Sequence, residues 1–318
     1  MRKRKKNIRR TIITIMLLCF SLLIGVEIYF GYAEKYKDIN LEQLNTKLYI
    51  EAADKASIGK LQVNWQYMAA IDGVRYKNNF SNVTDESLIE LANMFLEENS
   101  TSIKLKNSEY KLVELDDVLK KLSFSKSQKE KVYHYIDNLK YTGTQKDNLN
   151  DNSKQEFIKG IYPQAADIYD KYGVLPSLTI SQAILESGWG KSDLSVKAHN
   201  LYGIKADSSW KGNKIKMNTS EYYNKKIKDE FRVYGSNEES IKDYGEFLKN
   251  NKRYNKSGVF AATQYLEQAK AIEKAGYSTV ENDKGEEIYA ELLTEIIQEQ
   301  NLQLLDYECE MNYFKNNQ

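Results

Sequence analysis

Glu186 closes an apolar, helix-like run and is followed at once by Ser187, Gly188, Trp189 and Gly190. A carboxylate in that setting faces the negative end of a helix dipole and lies beside an aromatic ring. Both disfavour its charged form and raise its pKa. A carboxyl that keeps its proton near neutral pH serves as a general acid, the group that protonates the leaving oxygen when a glycosidic bond is cut. A merely solvent-facing role explains Glu186 poorly, because a lone glutamate at a helix C-terminus is unfavourable by about 0.3–1 kcal/mol. Trp189, Tyr202, Trp210, Tyr234, Tyr254 and Tyr277 are rings able to stack on sugars, although aromatic residues more often belong to a core. Asn200 either orients its own loop or touches a glycan. Lys205, Lys211, Lys214 and Lys216 suit an anionic polymer, with a solvated face as the plainer account.

These residues need elements to position them. Phe157 to Tyr172 has the spacing of an amphipathic helix, with Ile158, Ile161, Ala165 and Ile168 on one side. Pro176 and Ser177 open the helix that ends at Gly188, with Ser177 expected as its N-cap. From Gly212 the period changes to two. Ile215, Met217, Thr219 and Glu221 alternate, Asn224-Lys225-Lys226 offers a turn, and Ile227, Asp229, Phe231 and Val233 alternate back, which predicts a β-hairpin. Ser236 to Glu239 forms a capping box before a helix through Tyr244, Phe247 and Leu248. Helices over 261–274 and 286–300 follow, with Gly276 between them.

The expected architecture is mainly α. Residues 1–10 are a basic segment, 11–33 a transmembrane signal-anchor helix, 34–62 a stalk and 63–141 a small helical accessory domain. Residues 142–155 are a polar linker, 156–302 a catalytic domain with one small hairpin, and 303–318 an uninformative tail. The anchor rests on Arg2, Lys3, Arg4, Lys5, Lys6, Arg9 and Arg10 ahead of an apolar run from Ile12 to Val26 that resumes at Ile28. Counted to Tyr32, that run approaches the ~20 residues that span a bilayer. The basic cluster predicts the N-terminus in the cytoplasm and the catalytic part outside. A cleaved signal peptide is the competing reading, with Gly31-Tyr32-Ala33 as the cleavage site and a secreted product.

Lys+Arg is 46 and Asp+Glu 45, so no charge excess argues for nucleic acid. Cys19 and Cys309 lie in unrelated segments, and His134 and His199 lack metal-binding context, so neither a disulfide framework nor a metal or organic cofactor is implied. The core must instead come from apolar and aromatic bulk, including 24 tyrosines.

Over roughly 157–302 the chain resembles the family 73 glucosaminidases of the lysozyme-like superfamily. The resemblance is carried by Gln182-Ala183-Ile184-Leu185-Glu186-Ser187-Gly188-Trp189-Gly190, then Asn200-Leu201-Tyr202-Gly203-Ile204-Lys205. Glu221-Tyr222, Phe231-Arg232-Val233-Tyr234, Arg253-Tyr254 and Ala275-Gly276-Tyr277 follow in order. It implies a lysozyme-like catalytic domain in an autolysin-type hydrolase, which the N-terminal apolar run would anchor to the membrane. Its substrate would be the peptidoglycan glycan strand of the cell wall, cut at the β-1,4 bond between N-acetylglucosamine and N-acetylmuramic acid. Glu186 falls on the general acid. Glu221 falls on the second carboxylate, which activates water or stabilises developing positive charge. Tyr277 falls on an active-site tyrosine. Trp189, Asn200, Tyr202, Tyr234 and Tyr254 are the substrate-binding candidates. Glu230, on the returning strand, rivals Glu221. Inverting, retaining and substrate-assisted routes are all compatible with the sequence. So are a muramidase or lytic transglycosylase on the same scaffold, and a glycan-binding scaffold without activity. Residues 63–141, outside the resemblance, are where a membrane or cell-wall protein partner would dock. Val63 to Ile71 also looks like the acid-bearing helix of lysozyme-like enzymes, with Arg75 standing where the glutamate would be.

Overall fold

The computed structural model describes residues 2–35, 37–100, 105, 108–140, 152–221 and 225–316. The first half holds α1 (Arg2–Lys35), α2 (Thr46–Ser57), α3 (Trp65–Arg75), α4 (Asp85–Asn93), α5 (Leu115–Lys121) and α6 (Lys126–Leu139). Between α4 and α5 lies a short antiparallel hairpin, β1 (Leu96–Glu98) with β2 (Tyr110–Leu112), which strand periodicity did not signal. The second half runs α7 (Asn152–Tyr172), α8 (Pro176–Ser187) and α9 (Asp193–Ala198), then the antiparallel pair β3 (Lys214–Glu221) and β4 (Lys225–Arg232). It closes with α10 (Asn237–Asn250), α11 (Lys252–Ser257), α12 (Tyr265–Lys274), α13 (Tyr289–Glu299) and α14 (Gln303–Asn316). The expected mainly helical build with a hairpin in the second half is what forms.

Among the described residues no helix is long and apolar enough to cross a membrane. The expected span 11–33 lies within α1, but several side chains at both of its ends fall outside the described set. Between them Ile13, Met16, Leu17, Leu18, Phe20, Leu22 and Leu23 are all exposed. Residues 142–151 of the expected linker are outside the described residues, and 152–155 open α7.

Each half has its own core. In the first, Tyr49 and Ala53 of α2 pack with Trp65, Met68 and Ile71 of α3, Leu88 of α4, Val118 of α5 and Val132 and Tyr135 of α6. The expected stalk, 34–62, therefore differs from the structure: its α2 is an integral part of this bundle. Arg75 pairs with buried Asp72 at 3.3 Å, and Tyr49 donates to the same carboxylate at 3.1 Å. The two halves are locked together. Leu61 and Leu112 of the first half reach into the second core. The Trp65 indole donates to Asn301 Oδ1 at 3.1 Å, and the backbone N–H of Gln62 donates to Glu310 at 2.8 Å. Buried Asp54 accepts from Gln62, Gln298 and Tyr265.

The second core is built around α8. From Pro176 to Ile184 every residue of this helix is buried, with α7, α12, α13 and α14 packed around it. Even its polar residues Ser177, Thr179, Ser181 and Gln182 are buried, so this stretch has no solvated face and lies at the centre. Pro176 takes the first helical position, where its missing N–H costs nothing. Ser177 is not the N-cap. Leu175 holds that position without a side-chain cap, and Asp306 of α14 supplies the acceptor from outside the helix. It takes the Ser177 N–H at 2.8 Å and the Ser177 hydroxyl at 2.5 Å. The segment expected as a tail is thus a helix that caps the central helix, with Gln303, Asp306, Tyr307, Glu310, Met311 and Phe314 buried.

Burial raises the pKa of Asp306 to about 7, while its bonds to Ser177 act in the opposite direction. A carboxyl whose folded pKa exceeds its unfolded value contributes most below the unfolded pKa, and that contribution fades as pH rises through the folded one. Stability should therefore fall between pH 4 and pH 7, and Asp306→Asn should flatten that slope in urea denaturation series. Asp306→Ala, which leaves the Ser177 N–H and hydroxyl without this acceptor, should cost about 1–3 kcal/mol in the same measurement. Ending the chain at residue 302 should cost at least as much.

Candidate active site

The C-terminus of α8 turns sharply. Gly188, Trp189 and Gly190 all have positive φ, at 55°, 63° and 73°. Gly188 needs no Cβ there, but Trp189 is a bulky residue in the left-handed region, an uncommon and strained conformation. Ser187 holds the turn, its hydroxyl accepting the Gly190 N–H at 2.7 Å while donating to the Ala183 carbonyl. The turn leaves Glu186 as the last side chain of α8 to project, and it projects into a cleft of about 640 Å³.

The cleft wall is assembled from distant segments. Tyr202, Gly203, Ile204 and Lys205 come from the loop after α9, and Met217, Asn218 and Phe231 from the hairpin. Phe247, Arg253 and Tyr254 come from α10 and α11, and Gly276, Tyr277 and Ser278 from the loop after α12. The loop after α9 is fixed to β4: the Ala206 N–H donates to Glu230 O at 2.8 Å and the Arg232 N–H to Ile204 O at 3.1 Å. Arg232 is itself clamped to Asp243 of α10 at 2.8 Å, with Trp210 against its guanidinium.

The Glu186 carboxyl opens to the cleft, and tyrosines crowd the rest of it. Tyr289, at the start of α13, donates to Oε1 at 2.6 Å. Tyr277 stacks on Tyr289 with ring centroids 5.7 Å apart and donates to the Tyr202 carbonyl at 3.2 Å. Loss of water raises the Glu186 pKa above its ordinary value, and the Tyr289 bond, which favours the charged form, partly opposes that rise. The desolvating rings belong to these tyrosines. The Trp189 ring, expected to do this, packs edge-on against Phe157 at 6.1 Å and is not part of the cleft lining. A concave site with a perturbed carboxyl among aromatics and a few polar groups has the makings of a catalytic pocket for a carbohydrate.

The other candidates divide. Tyr202, Tyr254 and Tyr277 line the cleft, although Tyr202 and Tyr254 are buried, with Tyr244 stacked on the Tyr202 ring and Arg253 over the Tyr254 ring. Asn200 does not face the cleft. It is buried, its amide donating to the carbonyls of Ile204 at 3.0 Å and Arg232 at 2.9 Å while its oxygen accepts the Ile204 N–H. Tyr234 is also structural, donating to Asp243 at 2.6 Å away from the cleft lining. Glu221 ends β3 in register with Lys225, and its side chain lies outside the described residues. Glu230 is engaged by Lys214 and Lys216, each at 3.6 Å. Sequence reading missed Tyr289, because nothing local marks a tyrosine 103 positions from its partner as an active-site group. It also passed over Arg253 as a site residue. Arg253 is fixed at the cleft wall by the Gly276 carbonyl at 2.9 Å and the Tyr254 hydroxyl at 2.6 Å.

Residues 162–302 match the glucosaminidase family, described as mannosyl-glycoprotein endo-beta-N-acetylglucosaminidase. The exo-glucosaminidase LytG of Bacillus subtilis is 36% identical over 161 residues, covering 49% of this chain and 54% of that protein. The peptidoglycan hydrolase FlgJ of Salmonella typhimurium is 37% identical over 158 residues, covering 48% and 47%. The catalytic domain of the autolysin Auto from Listeria monocytogenes is 30% identical, with 53% of this chain and 96% of that one covered at a TM-score of 0.43. The chain spans about half the length of the curated relatives it matches. The glucosaminidase-family match and the similarity to these relatives thus lie in the second half of the chain.

Asn200→Ala should act on the fold and not on substrate. Two carbonyls and an N–H would lose their buried partner, at a cost of about 1–3 kcal/mol by denaturant titration. The KM of the folded protein should stay within twofold of wild type, and a large rise in KM with unchanged stability would restore Asn200 as a substrate contact.

Proposed function

We propose that this chain, whose second half carries a glucosaminidase-family domain, is a cell-wall hydrolase. It would cut peptidoglycan at the β-1,4 bond between N-acetylglucosamine and N-acetylmuramic acid as an endo-β-N-acetylglucosaminidase. The observation that carries this reading is Glu186: a carboxyl of raised pKa at the end of the buried α8, held by Tyr289 and open to a tyrosine-rich cleft. Glu186 donates its proton to the leaving glycosidic oxygen as the bond to the sugar breaks, and Glu221 supplies the second carboxylate toward water or the positive sugar. Similarity to proteins named exo-glucosaminidase and peptidoglycan hydrolase supports the substrate class.

A membrane tether through α1 belongs to the same proposal, with the N-terminus inside and the catalytic domain outside. Its support is the described middle of α1, where apolar side chains from Ile13 to Val26 are exposed around the helix after a basic start. Recovery of the protein in the medium with Ala33 or Glu34 as its new N-terminus would overturn the tether.

Mass spectrometry of purified peptidoglycan digested by the full chain should find new reducing N-acetylglucosamine ends. Glu186→Gln should lower their formation by about 10²–10⁴-fold, the usual weight of a general acid. Anhydro-muramic ends would transfer the chain to the lytic transglycosylases, and full activity of Glu186→Gln would remove Glu186 as the acid.

A further inference from the structure

Glu186 sits at one end of a chain of hydrogen bonds that all point the same way. Tyr244 of α10 is fully buried, its ring stacked on Tyr202 with centroids 4.0 Å apart. Its hydroxyl donates to the Gln182 side-chain carbonyl. Gln182, one turn before Glu186 on α8 and fully buried, donates from Nε2 to the Tyr289 hydroxyl at 3.0 Å. Tyr289 donates to Glu186 Oε1 at 2.6 Å. Three buried side chains, Tyr244, Gln182 and Tyr289, thus form one relay ending on a single oxygen of Glu186, whose side chain is open to the cleft.

The order of donors has a consequence. A glutamine amide presents a carbonyl on one side and an NH₂ on the other. With Tyr244 donating to the carbonyl, the NH₂ is the side that meets Tyr289. The Tyr289 oxygen, already accepting from Gln182, then directs its one proton at Glu186. Oε1 of the acid becomes an acceptor, which leaves Oε2 to carry the transferable proton. Aligned bonds of this kind also polarise one another, so each strengthens the next.

We propose that Gln182, Tyr244 and Tyr289 are positioning residues that pin Glu186 by Oε1 and place its acidic proton on Oε2. The proposal rests on Glu186 being the general acid. The groups facing Glu186 are Tyr289 from α13, Tyr277 from the preceding loop and Tyr244 from α10. Arg253, Lys205 and Asp207 stand elsewhere on the cleft wall. Tyr289 is the one whose hydroxyl donates to the carboxyl, and that bond favours the charged form, against the desolvation that raises the pKa. Removing it should raise the Glu186 pKa and free the side chain to rotate.

The test is the pH profile of kcat/KM on purified peptidoglycan for the full chain and its Tyr289→Phe, Gln182→Met and Tyr244→Phe variants, with circular dichroism as the check on folding. Tyr289→Phe should move the basic limb upward by about half to one pH unit, the weight of one hydrogen bond to a carboxylate. It should also lower kcat about 10-fold, as expected for a loosened acid. Gln182→Met and Tyr244→Phe should move the same limb in the same direction by less, a graded pattern that general destabilisation would not produce. If Tyr289→Phe did not fold, Tyr244→Phe, which removes one hydroxyl at the far end of the relay, would carry the test. A folded Tyr289→Phe with an unmoved limb overturns the proposal, and so does a downward shift, which would mean the relay points the other way. Failure of the acid assignment would look different: Glu186→Gln would itself stay active.

Discussion

A helix buried on every side has nowhere to put its ends, and the rest of this structure follows from that constraint on α8. Its first N–H groups and last carbonyls need partners that the helix cannot supply. At the N-terminal end Asp306 provides one from α14. At the C-terminal end the chain escapes through three positive-φ residues, Gly188 to Gly190. Glu186 therefore emerges from the middle of the core directly into a cleft, with its backbone immobilised by everything packed around α8. Rigidity at that point suits the general-acid role we propose for Glu186, because proton transfer tolerates little misplacement.

The accessory half takes part in this arrangement through the far ends of the same helices. α13 begins at Tyr289, beside Glu186, and ends near Gln298 and Asn301, which engage Asp54 and Trp65 of the first half. α14 carries both Asp306, the cap of α8, and Glu310, which receives the Gln62 N–H. The contacts between the halves thus add polar bonds to the packing of Leu61 and Leu112, and they act on the two helices that hold the acid-bearing one. Asp54 and Asp306 both have pKa values raised by burial, and the charge of Asp54 adds to the rise at Asp306.

Much of the second half was legible because its signals are local. Ile158, Ile161, Ala165 and Ile168 mark the buried face of α7, period-two alternation marks β3 and β4, and the residues around Glu186 mark a helix end that presents a carboxyl. What was not legible depended on contacts between distant segments. The buried stripe of α14 has regular helical spacing at 303, 306, 307, 310, 311 and 314, but it is built largely from Gln, Asp, Tyr and Glu, so hydrophobic periodicity passed over it. Asn200 could be read either as orienting its loop or as touching a glycan, because its backbone partners lie at Ile204 and Arg232, and Arg232 is 32 positions away. Ser177 carries the residue type of an N-cap, yet Pro176 shifts the helix start and Asp306 supplies the acceptor. Tyr289 belongs to the site only because α13 packs on α8.

The capping of α8 by Asp306 also sets an order of events during synthesis. The acceptor for Ser177 lies 129 positions downstream, and chains emerge from the ribosome N-terminus first. For that whole interval the nascent acid-bearing helix has an open amino end, and for most of it the Tyr289 partner that comes with α13 is also missing. The surroundings of Glu186 are therefore among the last parts of the described chain to be completed, and the cleft acquires its full set of partners only after most of that chain has been made.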